Sequence, residues 1–134
     1  MRDLEKILVE FERNAGVSEV AIFECERHFG QEFLKDYRDF MMSSNGGEGF
    51  IGANSYLRLW KIEELPLMND GYETVKYFPG GLLFGTNGGL EAYGFDLRTP
   101  QVKIIEVPFI GMEWEDARLL SNTFNGFLNH LYER

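Results

Sequence analysis

The sequence predicts an α+β fold: a central, mostly antiparallel sheet with N-terminal helices and a C-terminal helix packed around it. Three observations carry this expectation. Apolar residues recur at three- and four-residue spacing up to Met41. Period-two alternation and short apolar runs take over after Gly49. Helical spacing returns between Leu120 and Leu131. Consecutive strands joined by short turns pair antiparallel, and helices segregated from strands in sequence are the α+β pattern.

In "MRDLEKILVEFERN", Leu4, Ile7, Leu8 and Phe11 share one helical face, and Asn14-Ala15-Gly16 stops that helix. Ser18 caps a second helix with Glu19 in its first turn; Val20, Phe23 and the stem of Arg27 form its inner face, and Gly30 ends it. A third helix turns Leu34, Tyr37, Phe40 and Met41 inward, with Gly46 as its left-handed terminator just past Asn45. In "YLRLW", Leu57 and Leu59 face one way and Tyr56, Arg58 and Trp60 the other, so this is a strand. "KIEEL" is a helical turn stopped by Pro66, and "LMNDGYETVKYFPGG" is irregular. "LLFG", "LEAYGF" and "VKIIEV" are strands, the last two separated by the polar turn "DLRTPQ". Leu120, Phe124, Phe127, Leu128 and Leu131 define the last helix, with Ser121 as its cap. No break in composition divides residues 1–134, so one domain is expected.

The 134 residues are 44% hydrophobic and 15% aromatic, with 12 Phe, enough for a packed core. Asp and Glu number 22 against 13 Lys and Arg, a net charge of -9. With no basic run to neutralise phosphates, direct nucleic-acid binding is not expected. The acidity either keeps the protein soluble or meets a partner with a positive surface. The single cysteine, Cys25, leaves no internal disulfide and no multi-cysteine zinc site. The charged N-terminal segment is no signal peptide, and no apolar run approaches the roughly 20 residues of a membrane span. A cytoplasmic location is expected.

The tripeptide Asn-Gly-Gly occurs twice, at Asn45-Gly46-Gly47 and Asn87-Gly88-Gly89. A phosphate loop would need a following Lys and a helix. Here a carboxylate follows each site, Glu48 and Glu91, so both are read as structural turns. The second, between two apolar runs, is a hairpin turn. The first ends a helix.

No catalytic constellation emerges. Cys25 and His28, three apart on a helix, lack an orienting group. Asp70, Glu91 and Asp96 could converge, but no spacing rule selects them. No cofactor is implied. Glu113-Trp114-Glu115-Asp116 is either a tryptophan closing the core among solvated acids or a contact patch. "NDGYETVKYFPGG" poses the same question for Tyr72, Tyr77 and Phe78. Candidate partner-binding residues are Glu48, Asp70, Tyr72, Glu113, Trp114, Glu115 and Asp116.

The chain resembles the SUKH superfamily, in its Smi/Knr-type branch. The resemblance runs through Leu34-x-x-Tyr37-x-x-Phe40, Asn45-Gly46-Gly47, Leu57 and Leu59, and Asn69-x-x-Tyr72. It continues through Phe84-Gly85-x-x-Gly88-Gly89, Tyr93-x-Phe95-Asp96 and Phe124-x-x-Phe127-Leu128, from about residue 18 onward. Lys35 stands where the family commonly has a proline before the Tyr-containing helix, which removes a preorganised helix start. The resemblance implies the α+β fold above and a non-catalytic immunity protein, which binds and neutralises a basic toxin domain, often a nuclease. A regulatory or scaffolding domain binding some other protein shares every one of these features, because fold alone does not fix function. Strand edges leave homodimerisation open.

Overall fold

The computed structural model describes residues 2–134. Its elements are α1 (Leu4–Ile7), β1 (Phe11–Arg13), α2 (Glu19–Phe29), α3 (Lys35–Ser43), β2 (Gly47–Ile51) and β3 (Ser55–Leu59). A 3₁₀ turn (Ile62–Glu64) leads into α4 (Leu65–Gly71) and α5 (Thr74–Tyr77). Then come β4 (Gly81–Thr86), β5 (Glu91–Asp96), β6 (Lys103–Pro108), a second 3₁₀ turn (Trp114–Asp116), β7 (Arg118–Ser121) and α6 (Phe124–Glu133). The strands form one seven-stranded sheet in sequence order, with every neighbouring pair antiparallel. The α+β expectation holds.

The core lies between the sheet and the helices on one of its faces. Tyr37 of α3 and Phe124 of α6 meet edge-on at 5.2 Å, and Phe84 and Phe95 of the sheet lie 4.7 Å apart beneath them. Phe127 closes on both Phe84 and Tyr93. Burying each such ring contributes about 2–3 kcal/mol. Two polar contacts fix the helices. Asp36 accepts from the amides of Phe124 and Asn125, so α3 caps the start of α6. Near the other end of α6, the Ser55 hydroxyl donates to the Leu131 carbonyl at 2.7 Å.

Several boundaries differ from expectation. The first helix is a single turn capped by Asp3, and Phe11 sits in edge strand β1. Its apolar side chains are largely buried all the same, because one turn followed by a strand also turns them to one side. In α2 the buried side is Ile22, Cys25 and Glu26, while Val20 and Phe23 are exposed. The Ser18 cap and the left-handed Gly30 are as expected. Helix α3 ends at Ser43, before Gly46, whose positive φ of 74° turns the chain into β2. Pro66 does not stop a helix but stands in the first turn of α4, where its missing N–H costs nothing. The stretch read as irregular therefore holds α4 and α5. Leu120 belongs to β7, and Thr123, not Ser121, caps α6 by accepting from the Gly126 amide at 3.0 Å.

The second Asn-Gly-Gly is the β4–β5 hairpin turn. Gly88 alone of the three takes positive φ, at 81°. Asn87 contributes its side chain, whose Oδ1 accepts from the amides of Gly89 and Glu91. The first is more than a turn: Asn45 is buried, accepts from the Ile62 amide at 2.8 Å and donates to Glu63 at 2.7 Å. It ties the end of α3 to the turn that precedes α4. Among the described residues no helix is long and apolar enough to cross a membrane.

Candidate functional site: a groove on the open face of the sheet

Cross-strand register lays Glu12, Glu48, Arg58 and Thr86 side by side across β1 to β4. Their sequence neighbours Phe11, Leu57 and Leu59 face the core, so these polar residues occupy the opposite face. Glu12 and Glu48 are directly opposed like charges. Arg58 relieves the repulsion by donating to the Glu48 carboxylate through Nε and Nη2, and the Tyr56 hydroxyl donates to the same oxygen at 2.5 Å. The hydrogen bonds from Tyr56 and then Arg58 hold the Glu48 carboxyl below the ordinary carboxylate range. One of its oxygens, Oε2, thus accepts every bond of this surface cluster.

This row floors a groove of about 640 Å³. One wall is Trp60, Glu64, Met68 and Tyr72, carried by the end of β3 and by α4. The other is the β4–β5 hairpin with Gly88, Gly89 and Leu90, followed by Phe109 and Ile110 after β6. Tyr72 stacks on Phe109 at 4.7 Å and lies parallel to Trp60 at 6.3 Å, so three aromatic rings line one end. Leu90 and Ile110 are among the most exposed large apolar side chains. A concave floor with apolar, aromatic walls and a charged centre has the composition found at protein-contact surfaces.

The sequence-predicted contacts divide. Glu48 and Tyr72 line the groove. Asp70 is exposed at the end of α4, close to Tyr72. Glu113, Trp114, Glu115 and Asp116 lie in the β6–β7 connection, with the three acids exposed. Trp114 stacks on the buried Phe78 at 4.0 Å and donates to the Pro79 carbonyl, and is half-buried, so it packs against the core without being enclosed by it. Sequence reading missed Trp60, Phe109 and Ile110. Trp60 continues the parity of Tyr56 and Arg58 beyond the strand, and that parity was the available signal.

The catalytic candidates separate. Glu91 and Asp96 sit at opposite ends of β5, and Asp96 is held by Arg98 at 3.0 Å, so with Asp70 they form no cluster. Cys25 and His28 do line a common hollow of about 450 Å³. The thiol, however, donates to the Ile62 carbonyl at 3.7 Å, and burial, aided by the charge of Glu26, pushes it up to about 11. It is protonated near neutrality and a poor nucleophile.

The family model of the SMI1 / KNR4 family (SUKH-1) matches residues 16–130. The chain belongs to this family. The match takes in the groove from Glu48 to Ile110 and leaves out the one-turn α1 and β1 of this SUKH-1 domain. No curated protein matches the chain.

Proposed function

We propose that this SUKH-1 domain is a non-catalytic immunity protein that binds a basic toxin domain and occludes it. The observation that carries this reading is the groove: an open sheet face walled by Trp60, Tyr72 and Phe109, on a chain of net charge -9. A protonated Cys25 and a Glu48 already engaged by Tyr56 and Arg58 support binding over chemistry. Opposite fields speed encounter between an acidic inhibitor and a basic target. Aromatic anchors then set the lifetime of the complex.

The test is co-expression with any toxin domain encoded beside this gene. Rescue of toxin-expressing cells, together with a complex that survives gel filtration, is the expected result. Continued cell death with no complex would overturn the immunity reading. Capture of a cytoplasmic protein in the absence of any neighbouring toxin gene would shift it to regulation.

A further inference from the structure

We infer that a smaller hollow beside the groove receives an arginine side chain of the protein partner. This rests on the reading of the domain as a protein binder and specifies the chemistry of one contact. The hollow holds about 410 Å³ and is lined by Tyr72, Tyr77, Phe109, Gly111, Met112 and Glu113. It shares Tyr72 and Phe109 with the groove, so one partner can span both.

Its chemistry selects the occupant. Three aromatic rings line it; Tyr72 and Phe109 stack on each other, whereas Tyr77 is 52% exposed and stacks on no other ring among the described residues. Glu113 is exposed, and among the described residues it enters no ion pair. None of the lining residues is basic. Glu73 beside Tyr72, and Glu115 and Asp116 just past Glu113, deepen the negative field and are all exposed. An apolar side chain would satisfy the rings and strand the carboxylate. A lysine would bring a point charge without a planar face. A guanidinium stacks on an aromatic ring and pairs with a carboxylate at once.

The chain uses the same arrangement internally, between the β5–β6 turn and the residue after Glu113. The Arg98 guanidinium lies 3.7 Å from the Trp114 ring centroid and donates to both oxygens of Asp96 at 3.0 Å. Tyr77 itself attracts a cation, with Lys76 Nζ 4.9 Å from its ring centroid.

The probe is a capped Ala-Arg-Ala tripeptide titrated into the isotope-labelled full chain, with lysine and citrulline counterparts. Citrulline keeps the shape of arginine and removes its charge. Saturable shifts at Tyr72, Tyr77, Gly111 and Met112 are expected, with the citrulline and lysine peptides at least about threefold weaker. Tyr77→Ala and Glu113→Gln should each weaken the arginine peptide by at least about threefold while leaving the thermal midpoint in place. Equal binding of arginine and citrulline peptides, shifts mapping elsewhere, no shift at all, or indifference to both variants would each overturn the inference. A toxin still captured in that event leaves the immunity reading standing. Arginine-selective binding with no captured toxin keeps the hollow and removes that reading.

Discussion

Glu106 stands in the sheet with 1% of its surface exposed and both carboxylate oxygens engaged. Arg134, the last residue, donates to them through Nη1 and Nη2 at 2.8 and 3.0 Å, and Arg118 of the edge strand adds a further bond. Burial pushes the carboxyl up, but the hydrogen bonds and charges of Arg134 and Arg118 outweigh it and hold the group below the ordinary range. The folded state therefore favours the ionised form. The stability this contributes is present above the unfolded value of about 4.3 and is lost as pH falls through the lower folded value. The urea midpoint should stay level from about pH 7 to 5 and drop below about pH 4.5, with a smaller drop in Glu106→Gln. At neutral pH that substitution should cost about 2 kcal/mol, since it leaves buried charge-assisted bonds half-made. Tyr37 gives the opposite sign. Its hydroxyl is buried and makes no hydrogen bond among the described residues, so Tyr37→Phe should stabilise by about 1 kcal/mol in the same urea titration. Cys25 supplies a kinetic check: with its thiol raised from 9.0 to about 11, native protein near pH 8 should react with a disulfide reagent at least about 100-fold more slowly than unfolded chain. A fast reaction with a midpoint near neutrality would restore the dyad with His28.

At the scale of elements, legibility followed how much local pattern each segment carries. The β4–β5 hairpin was readable because largely apolar runs flank an Asn-Gly turn, and β6 because its own run is mostly apolar between turn formers. Helix α2 was placed correctly, but its buried side was not. Glu26 occupies the inward position and accepts from the Phe33 amide at 2.6 Å, so a carboxylate stood where the pattern seeks a hydrophobe. Strand β2 was invisible because Gly47 and Gly49 have low strand propensity. The structure explains those glycines: a Cβ on Gly47 would come within 2.5 Å of the Phe11 ring and of the Glu12 carbonyl, and its φ is 144°. β1 can lie on β2 only where side chains are missing. Gly47→Ala should therefore cost about 3 kcal/mol. It should also strip hydrogen-exchange protection from Phe11–Arg13 before the other strands. Uniform loss across the sheet would show that β1 is not a separable edge. The groove was half legible: Glu48 and Tyr72 were named and Trp60 carried a parity signal, whereas Phe109 reaches Tyr72 only through tertiary packing, which no window of sequence records.

Over the whole molecule, a net charge of -9 accompanies an aromatic-walled groove, and for the proposed partner the two features would act on different steps of binding. Long-range attraction governs encounter and is screened over about 10 Å at 0.1 M salt but only about 3 Å at 1 M. Buried ring contacts govern dissociation and are almost indifferent to salt. For the proposed basic toxin, the association rate should fall at least about tenfold between low and high salt, while the dissociation rate changes far less. The combined change Glu113→Gln, Glu115→Gln and Asp116→Asn should slow association and flatten its salt slope, because those exposed acids border the hollow without bracing the core. Tyr72→Ala should instead leave the slope alone and speed dissociation, since it removes the ring between Trp60 and Phe109. Stopped-flow association and dissociation across a salt series separate the two. An on-rate flat in salt would remove the electrostatic half of the mechanism. A Tyr72→Ala complex with an unchanged lifetime would remove the groove.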